Sequence, residues 1–382
     1  MKRKIVITTG TRAEYGILRP ILKAVSQSTK LKLFLVVTGT HLSKKHGYTV
    51  REIANDGFKN FVTIKMIPKD NSLYSMSKSV GNGIIEFTEI FKKIKPDINI
   101  ILGDRDEMLS SAIAAYHMNI PNAHIHGGDK TKAGIDEYNR HAITKISNIH
   151  FAATTKSAER IIKMGENPKY VFVTGSPSID EIVTNKITSR KSLESKYGLE
   201  FTGNEILLLQ HPVTTRSQSA RAEIESTLSA IEQFKLPTIA IGPNSDAGSK
   251  EIFIALQNFA KKNRFLRFYP TIPRMDYLGF LKNCAVLVGN SSSGIIEGSY
   301  FNIPVVNIGI RQKDRERGRN VIDVEGEDSK SIYLAIKKGL SMKDKKFKND
   351  YVYGHGNASK KIIHYLEKIK LTRELIEKQM LY

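Results

Sequence analysis

Residues 98–104 read INIILGD, a short apolar run that ends in a glycine and an aspartate. The same pattern recurs through the first half of the chain. The other runs are KIVITTG (4–10), KLFLVVTG (32–39), NAHIHGG (122–128), HFAATT (150–155) and YVFVTGSP (170–177). A longer segment with helical spacing follows these runs, and that alternation predicts a parallel sheet covered by helices on both faces.

The pattern of short apolar runs starts again at residue 205 with EILLLQHP. It continues with PTIAIGPN (237–244), RFLRFYP (264–270), CAVLVGNSSSG (284–294) and PVVNIGIRQ (304–312). A polar stretch with two glycines, 185–204, separates the two sets, as expected of a domain boundary. The sequence therefore predicts an α/β protein of two doubly wound, Rossmann-like domains, 1–185 and 186–370. The last segment, 371–382, is predicted to form a helix that packs back on the first domain.

Composition excludes several classes of protein. The chain has 382 residues and a single cysteine, so it can bury a sizeable core but cannot form an internal disulfide. No apolar run approaches the roughly 20 residues that cross a bilayer, so we expect no membrane partner and a cytoplasmic location. The formal net charge is +21, yet the lysines are scattered and no basic stripe alternates with aromatic residues. We therefore expect no nucleic-acid partner.

The turn after the first predicted strand, TTGTRAEYG (8–16), has features that suit a phosphate. Gly10 allows close backbone approach, the helix N-terminus supplies amides, and Arg12 adds a cation. The structural alternative is a simple helix cap, with Glu14 in the first turn. The three spaced glycines of a dinucleotide fingerprint are missing.

Acidic residues cluster in two stretches of the first domain. Asp104 follows the strand INIIL, where an aspartate can cap a helix or, beside other acids and an arginine, serve as a base. The second stretch is HIHGGDKTKAGIDEYNRHAITK (124–145). Its candidates are His126, Asp129 and, on a predicted helix, Asp136, Glu137 and Arg140. The histidines lack a recognisable ligand spacing and no thiolate accompanies them, so no metal is predicted.

A second candidate phosphate turn lies in GNSSSGIIE (289–297). Hydroxyls and amides gather there at a helix N-terminus, and Glu297, one turn further on, can accept both hydroxyls of a ribose. A serine helix cap is the alternative. The residues of this serine turn are Ser291, Ser292, Ser293 and Gly294.

His211 and Arg216 follow the first strand of the second domain, in QHPVTTR (210–216). Taken alone, such a histidine is more often a hydrogen-bonded structural residue than a catalyst. Opposite the carboxylates of the first domain it would gain a chemical purpose. Asn244 ends the next strand in the same way, within IGPNSDAGSK (241–250).

Nine stretches, in order along the chain, resemble the hydrolysing UDP-N-acetylglucosamine 2-epimerases of sialic-acid and legionaminic-acid biosynthesis. They are GTRAEYGILRP, LGDRDEML, HIHGGD, IDEYNRHAITK, TGSPSID, LQHPVTT, PNSDAGSK, GNSSSGIIE and NIGIRQKDRERGRNVI. The resemblance implies the GT-B fold, in which two Rossmann-like domains face each other across a cleft. It also implies a homodimer or homotetramer and a reaction without a redox cofactor, in agreement with the absent dinucleotide fingerprint.

The resemblance implies the conversion of UDP-N-acetylglucosamine and water to N-acetylmannosamine and UDP. Anti elimination of UDP gives a 2-acetamidoglucal, and water then adds with inversion at carbon 2. By resemblance, Arg12 and the serine turn bind the diphosphate and Glu297 binds the ribose. The catalytic residues implied are Asp104, Asp129, Asp136, Arg140 and His211, and those that bind or support the sugar are His126, Glu137, Arg216 and Asn244.

Several alternatives remain open at this stage. The same reaction could act on GDP-N-acetylglucosamine or on a UDP-linked 2,4-diacetamido-trideoxyhexose. Three further interpretations are a non-hydrolysing epimerase, a GT-B glycosyltransferase and a polyanion-binding module. The acid that removes the carbon-2 proton is also open, because many relatives carry a glutamate where this chain has Asp129, and the spacing to Asp136 is one residue longer.

Overall fold

The computed structural model describes residues 2–44, 47–67, 70, 72–132, 134–244, 246–325, 328–345, 347 and 351–381. Backbone contacts divide the chain into two compact units, each with its own parallel sheet. Unit 1 comprises Met1–Asp129, Asp136–Thr184 and Tyr353–Tyr382, and unit 2 comprises Lys130–Ile135 and Asn185–Val352. The predicted α/β class with two doubly wound sheets is confirmed.

The sheet of unit 1 has seven strands among the described residues, and all of its pairs are parallel. The strands are β1 Arg3–Thr9, β2 Leu31–Val37, β3 Phe61–Thr63, β4 Ile98–Leu102, β5 Asn122–Ile125, β6 Ile149–Ala152 and β7 Val171–Val173. Their order is β3-β2-β1-β4-β5-β6-β7. The chain reverses direction across the sheet between β1 and β4, which is where such sheets bind ligands.

The central strands β4, β5 and β6 of unit 1 are buried along their whole length because helices cover both faces of the sheet. The helices are α1 Arg12–Gln27, α2 Val50–Asn55, α3 Leu73–Ile94, α4 Asp106–His117, α5 Gly134–Lys145, α6 Thr155–Lys163 and α7 Pro177–Thr184. Ile5 and Ile7 of β1 pack in one core cluster, with Leu18 of α1. Val6, between them, packs in another cluster with Phe87 of α3. This alternation is the expected result of side chains pointing to opposite faces of a strand.

Unit 2 repeats the architecture with six parallel strands among the described residues. They are β8 Ile206–Leu209, β9 Thr238–Ile241, β10 Leu266–Tyr269, β11 Val286–Gly289, β12 Val305–Ile308 and β13 Val321–Val324. The helices are α8 Arg190–Tyr197, α9 Ala220–Glu232, α10 Ser249–Lys262, α11 Arg274–Asn283, α12 Ser292–Phe301 and α13 Ser329–Ser341. The strand order is β10-β9-β8-β11-β12-β13. Successive strands are therefore added on one side of β8 up to β10, and on its other side from β11 onward.

The C-terminal segment returns to unit 1. Helix α14 Ala358–Lys368 packs against α1 and α7, and α15 Arg373–Ile376 places Leu375 in the same core cluster. The buried carboxylate of Asp180, on α7, accepts from the backbone amides of Ala358 at 2.9 Å and Ser359 at 2.6 Å, and so caps α14. The sequence prediction placed residues 358–370 in the second domain, because an amphipathic pattern shows that one face is buried but not which sheet buries it.

Candidate active site

Residues singled out by the sequence lie at the two points of strand reversal. In unit 1, Gly10 follows β1 and Asp104 follows β4, and these two strands are neighbours. In unit 2, His211 follows β8 and the serine turn follows β11, which are also neighbours. Because parallel neighbours end at the same edge of a sheet, each unit gathers its own candidates at one edge.

The centre of the unit 1 site is the guanidinium of Arg140, on α5. Its side chain is 2 % exposed, and it donates to the carboxylates of Asp104 and Glu137, the latter at 2.6 Å. It also donates to the carbonyl oxygen of Asp129 at 3.2 Å. Burial by itself lowers the pKa of Arg140, but the nearby charges of Asp104, Asp129 and Glu137 outweigh burial and raise it. Arg140 is therefore a permanent buried cation that holds two carboxylates in place.

Helix α5 is tied to the turn after β4 at a second point. Asn139 donates from its side-chain amide to Asp106 at 3.1 Å. Glu137 links Arg140 to His141, whose Nε2 lies 2.9 Å from the other carboxylate oxygen. Asp136 lies in the first turn of the same helix and is partly exposed. The structure thus brings together Asp104, Glu137 and Arg140, and Asp136 lies one turn before Arg140 on the same helix.

Asp129 and His126 belong to a buried chain of hydrogen bonds. An ionised carboxylate only accepts, so His126 donates from Nδ1 to Asp129 at 3.0 Å and its Nε2, 2.9 Å from Ser176, accepts from that hydroxyl. The other oxygen of Asp129 accepts from Ser157 at 2.9 Å. The serine, histidine and carboxylate order is that of a nucleophilic hydrolase. Ser176 is only 1 % exposed and Asp129 is fully buried. We therefore interpret these hydrogen bonds as support for the loop that follows β5.

The α1 turn, residues Gly10 to Glu14, differs from a phosphate cradle. The carboxylate of Glu14 accepts from the backbone amides of Gly10 at 3.1 Å and Thr11 at 3.0 Å, so these amides already have a partner. The pKa of Glu14 is raised to about 8, mainly by burial, with the charge of Arg105 acting to lower it and that of Glu107 to raise it. Arg12 forms an ion pair with Glu52 at 2.9 Å. The cap alternative describes this turn, and an anion would have to displace or join these contacts.

His211 is held in one tautomer by its neighbours in unit 2. Its Nδ1 accepts from the backbone amide of Asn244 at 3.0 Å, so a neutral ring must carry its proton on Nε2. Burial, and then the charge of Arg311, lower the pKa of His211 well below its ordinary value. The side chain of Asn290 bonds both the amide and the carbonyl of His211, at 2.7 and 2.9 Å. His211 is therefore a neutral ring that can donate from Nε2.

The serine turn begins α12 without any acid in its first turn. Ser291 accepts from the backbone amide of Ser293 at 3.4 Å, and the two hydroxyl oxygens lie 3.0 Å apart. The hydroxyl of Tyr277 also contacts Ser293. A Cβ at Gly294 would lie 2.7 Å from the side chain of Leu287, so this glycine lets α12 approach the sheet. Ser292 is the first residue of the helix.

Glu297, predicted to bind a ribose, has a protein partner. It is buried, and Arg274 of α11 donates to both of its oxygens, one of them at 3.1 Å. A ribose would share this carboxylate with Arg274. Among the remaining predictions, Arg216 lies exposed on the 3-10 helix Thr214–Ser219, and Asn244 reaches the site through its backbone amide.

The described residues contain no group of three or more His, Cys, Asp or Glu side chains arranged to hold a metal ion. None of the helices found there is both long enough and apolar enough to span a membrane.

Comparison with known proteins identifies the family. A sequence profile described as UDP-N-acetylglucosamine 2-epimerase matches residues 23–367. The chain belongs to this family. A protein of Legionella pneumophila, named UDP-N,N'-diacetylbacillosamine 2-epimerase (hydrolyzing), is 39 % identical over 380 residues, which are 99 % of each chain. The polysialic acid biosynthesis protein P7 of Escherichia coli is 38 % identical and matches over 90 % of this chain and 87 % of its own.

Solved structures of this family share the fold. The UDP-GlcNAc 2-epimerase of Neisseria meningitidis, bound to UDP-GlcNAc, matches with a TM-score of 0.82 and 19 % identity, over 96 % of this chain and 100 % of that chain. The Methanocaldococcus jannaschii enzyme, in complex with UDP-GlcNAc and UDP, has a TM-score of 0.79 at 19 % identity, over 95 % and 99 % of the two chains. The fold resemblance stated from the motifs is thereby confirmed.

The sequence reasoning assigned no role to several residues that shape these two sites. Asn290 holds the loop of His211, Arg274 engages Glu297, and His124 bonds the loop that carries Asp104. Each stands in a quoted motif or strand end, so its neighbourhood was visible. Its partner was not, because the partner comes from a distant part of the chain.

Proposed function

We propose that this chain is a hydrolysing 2-epimerase that converts UDP-N-acetylglucosamine and water to N-acetylmannosamine and UDP. The observation that carries the proposal is the 39 % identity, over 99 % of both chains, to a relative named as a hydrolysing 2-epimerase. The buried Arg140 with its two carboxylates supports it, because proton removal at a sugar carbon requires a fixed acid-base group.

The proposed chemistry has two steps that balance. In the first, a base removes the proton on carbon 2, the bond between carbon 1 and the UDP oxygen breaks, and the electron pair forms a double bond between carbons 1 and 2. In the second, water adds to the double bond. Its hydroxyl joins carbon 1, and a proton joins carbon 2 on the face opposite to the one from which the first proton left. The products are UDP and the free sugar inverted at carbon 2.

We assign the acid-base work to Asp104 and Asp136, with Arg140 as the cation that orients Asp104. Asp104 is supported by the ion pair that fixes its carboxylate, and Asp136 by its place one turn before Arg140. Asp129 is assigned to support rather than to proton transfer, because its fully buried oxygens are bonded to His126 and Ser157. Glu137 supports Arg140 in the same way.

We assign the nucleotide to unit 2. The serine turn offers hydroxyls and a helix N-terminus without a competing acid, which suits a diphosphate. We propose that His211 donates from Nε2 to the leaving diphosphate, because its Nδ1 is already bonded and its ring is neutral. Glu297 is proposed to share its carboxylate between Arg274 and the ribose. Neisseria and Methanocaldococcus proteins with this fold are described as bound to UDP-GlcNAc, which supports a nucleotide-sugar ligand.

A second substrate is favoured by a specific observation. The Legionella relative is named for UDP-N,N'-diacetylbacillosamine, a UDP-linked 2,4-diacetamido-trideoxyhexose. Its carbon 2 bears the same acetamido group, so the same elimination and hydration would apply. The Escherichia relative is named for polysialic acid biosynthesis, which supports a role in making precursors of nonulosonic acids.

The test is incubation of the purified chain with UDP-N-acetylglucosamine, UDP-N,N'-diacetylbacillosamine and GDP-N-acetylglucosamine in heavy water, followed by NMR. We expect free nucleotide and a free sugar, inverted at carbon 2 and carrying deuterium there. The D104N variant is the control for background hydrolysis. An intact, epimerised nucleotide sugar would establish a non-hydrolysing epimerase, and turnover only with an added acceptor would establish a glycosyltransferase. Either outcome contradicts the proposal.

Location and assembly stay predictions. We propose a cytoplasmic homodimer or homotetramer, as the family resemblance implies. Light scattering coupled to size-exclusion chromatography measures the assembly directly. A monomer at micromolar concentration would contradict it.

A further inference from the structure

His124 is a buried residue of β5 to which the proposed reaction assigns no role. Its Nε2 lies 2.8 Å from the carbonyl oxygen of Gly103, the residue before Asp104. A carbonyl only accepts, so His124 must donate from Nε2, and its bare Nδ1 faces the hydroxyl of Thr144 at 3.2 Å. That hydroxyl donates its single proton to the carbonyl of Arg140, one turn back on α5, at 2.8 Å, and shares it with Nδ1 of His124. One imidazole therefore touches both the loop of Asp104 and the helix of Arg140.

The surroundings of His124 are built to keep the ring in this place. The amide of Gly103 donates to Ile125 at 3.0 Å, so both backbone groups of Gly103 are held by β5. A Cβ at Gly127 would lie 2.8 Å from Nδ1 of His124 and 3.1 Å from the hydroxyl of Thr144. The first glycine of HGG thus leaves room for this contact. The pKa of His124 is lowered to about 3, mainly by burial; the Gly103 carbonyl and Asp104 act to raise it, and His150 and Arg140 to lower it.

We propose that His124 is a positioning residue that sets the carboxylate of Asp104 against the guanidinium of Arg140. Gly103 has a φ of 73°, a conformation that leaves Asp104 at the end of a short, sharply turned loop. Anchoring the Gly103 carbonyl to a ring in the neighbouring strand fixes where that loop starts. The Thr144 contact fixes the turn of α5 that carries Arg140. Displacement of a reacting group by about 1 Å can cost about 100-fold in rate. The two contacts of His124 should therefore affect kcat.

The test uses three variants that separate the two contacts. Gln places an amide nitrogen near Nε2 and can still donate to Gly103, Asn places a polar atom near Nδ1 only, and Leu keeps neither contact. We expect H124L and H124N to lower kcat by about 100-fold and H124Q by less than about 5-fold. KM for UDP-N-acetylglucosamine should change by less than about 3-fold, because the residue does not touch the nucleotide. Equal losses in H124Q and H124L, or a wild-type kcat in H124L, would overturn the proposal.

The matched control is His150, which pairs with His124 across neighbouring strands and is equally buried, but bonds to Glu166 instead. H150Q is expected to lower the melting temperature while kcat stays within about 2-fold of wild type. If kcat in H150Q falls as far as in H124L, the effect is general loss of packing and the proposal fails.

A structural readout separates this inference from the proposed function on which it rests. Crystal structures of H124L and H124Q should show the pair of Asp104 and Arg140 displaced in the first and kept in the second. Nitrogen-15 NMR should show His124 protonated on Nε2 alone and unchanged between about pH 5 and 9. If the wild-type chain turns over no nucleotide sugar, the proposed function fails. An undisplaced pair in H124L overturns the role of His124 whether or not the chain is an epimerase.

Discussion

Two helices begin at central strand ends in the two units, and their first turns are satisfied in different ways. At α1, the chain's own carboxylate, Glu14, occupies the amides of Gly10 and Thr11. At α12, hydroxyls of Ser291 and Ser293 line a first turn that contains no acid. Both turns carry the composition expected of a phosphate site. The difference teaches that a helix N-terminus is open to an anion only where a side chain of the protein does not already occupy its amides.

A related contrast separates the surroundings of Arg140 from those of His211. Unit 1 is organised by charges that face one another, with the buried Arg140 between Asp104 and Glu137. Around His211, unit 2 uses neutral partners, the side chain of Asn290 and the backbone amide of Asn244. We infer that unit 1 is built to hold acids for proton transfer and unit 2 to receive a charged nucleotide.

Removal of the cation in unit 1 should have the largest effect. R140M leaves the carboxylates of Asp104 and Glu137 without their buried partner, and we expect a loss of about 3 to 5 kcal/mol in unfolding free energy. Turnover should be undetectable. Urea unfolding measures the first and the NMR assay the second. R140K, which keeps the charge but loses the fork geometry, should lie between wild type and R140M. If R140M is as stable as wild type, the ion pairs of Arg140 with Asp104 and Glu137 do not stabilise unit 1.

Removal of the proposed base should be the next largest effect. D104N is expected to lower kcat by about 100-fold to 10,000-fold, because a positioned acid or base contributes a factor of that size. UDP affinity, measured by calorimetry, should stay within about 3-fold, since the nucleotide is assigned to unit 2. D106N is the matched control, because Asp106 lies two residues away and its carboxylate accepts from the side-chain amide of Asn139. Equal losses of kcat in the two variants would remove Asp104 from its role.

The acid in the α1 turn makes stability depend on pH. Burial raises the pKa of Glu14 from its ordinary value of 4.5 to about 8, so the folded protein binds more protons than the unfolded chain between these values. Unfolding free energy from this group is therefore lost as pH rises through that window, at up to about 1.4 kcal/mol for each pH unit. E14Q keeps an acceptor for Gly10 and Thr11 but cannot ionise.

We therefore expect E14Q to match wild type near pH 4 and to become progressively more stable than wild type towards pH 8. Thermal unfolding across this range measures the difference. E86Q, at an exposed position on α3, is the control and should show no such trend. A constant difference between E14Q and wild type at all pH values would mean that Glu14 is not titrating in the turn.

The smallest effect separates the two turns directly. S291A should weaken UDP binding by about 5-fold, the value of one lost hydrogen bond, whereas T11A should change it by less than about 2-fold. The reason is that Glu14 already occupies the backbone amides at the start of α1, whereas the first turn of α12 contains no acid. Calorimetry with UDP measures both. Stronger dependence on Thr11 than on Ser291 would reverse the comparison and return the diphosphate to the α1 turn.

Much of this fold follows from local patterns. Runs such as INIILGD mark β4, and polar residues that break each run mark the strand ends, because a strand buried on both faces admits polar side chains only where it leaves the sheet. Two edge strands, β3 and β13, were not predicted. They are short and partly exposed, so they lack the continuous apolar run that marks a central strand.

For the candidate site, the sequence offered residues but not their arrangement. Asp104, Arg140 and His211 were all recognised as candidates. Their partners were not, since Arg140 meets an acid 36 residues away and His211 is fixed by amides from two other loops. The role of Glu14 as an occupant of the amides was visible only as a possible helix cap.

The sequence by itself determined the α/β class, the positions of the strand ends and the residue types that stand there, because these follow from side-chain periodicity over a few residues. Only the tertiary structure decided that α14 belongs to unit 1, that Glu14 fills the α1 turn and that His124 joins the loop of Asp104 to α5. Those outcomes depend on the distance between groups far apart in the chain. That distance is set by strand order and packing, which no local pattern encodes.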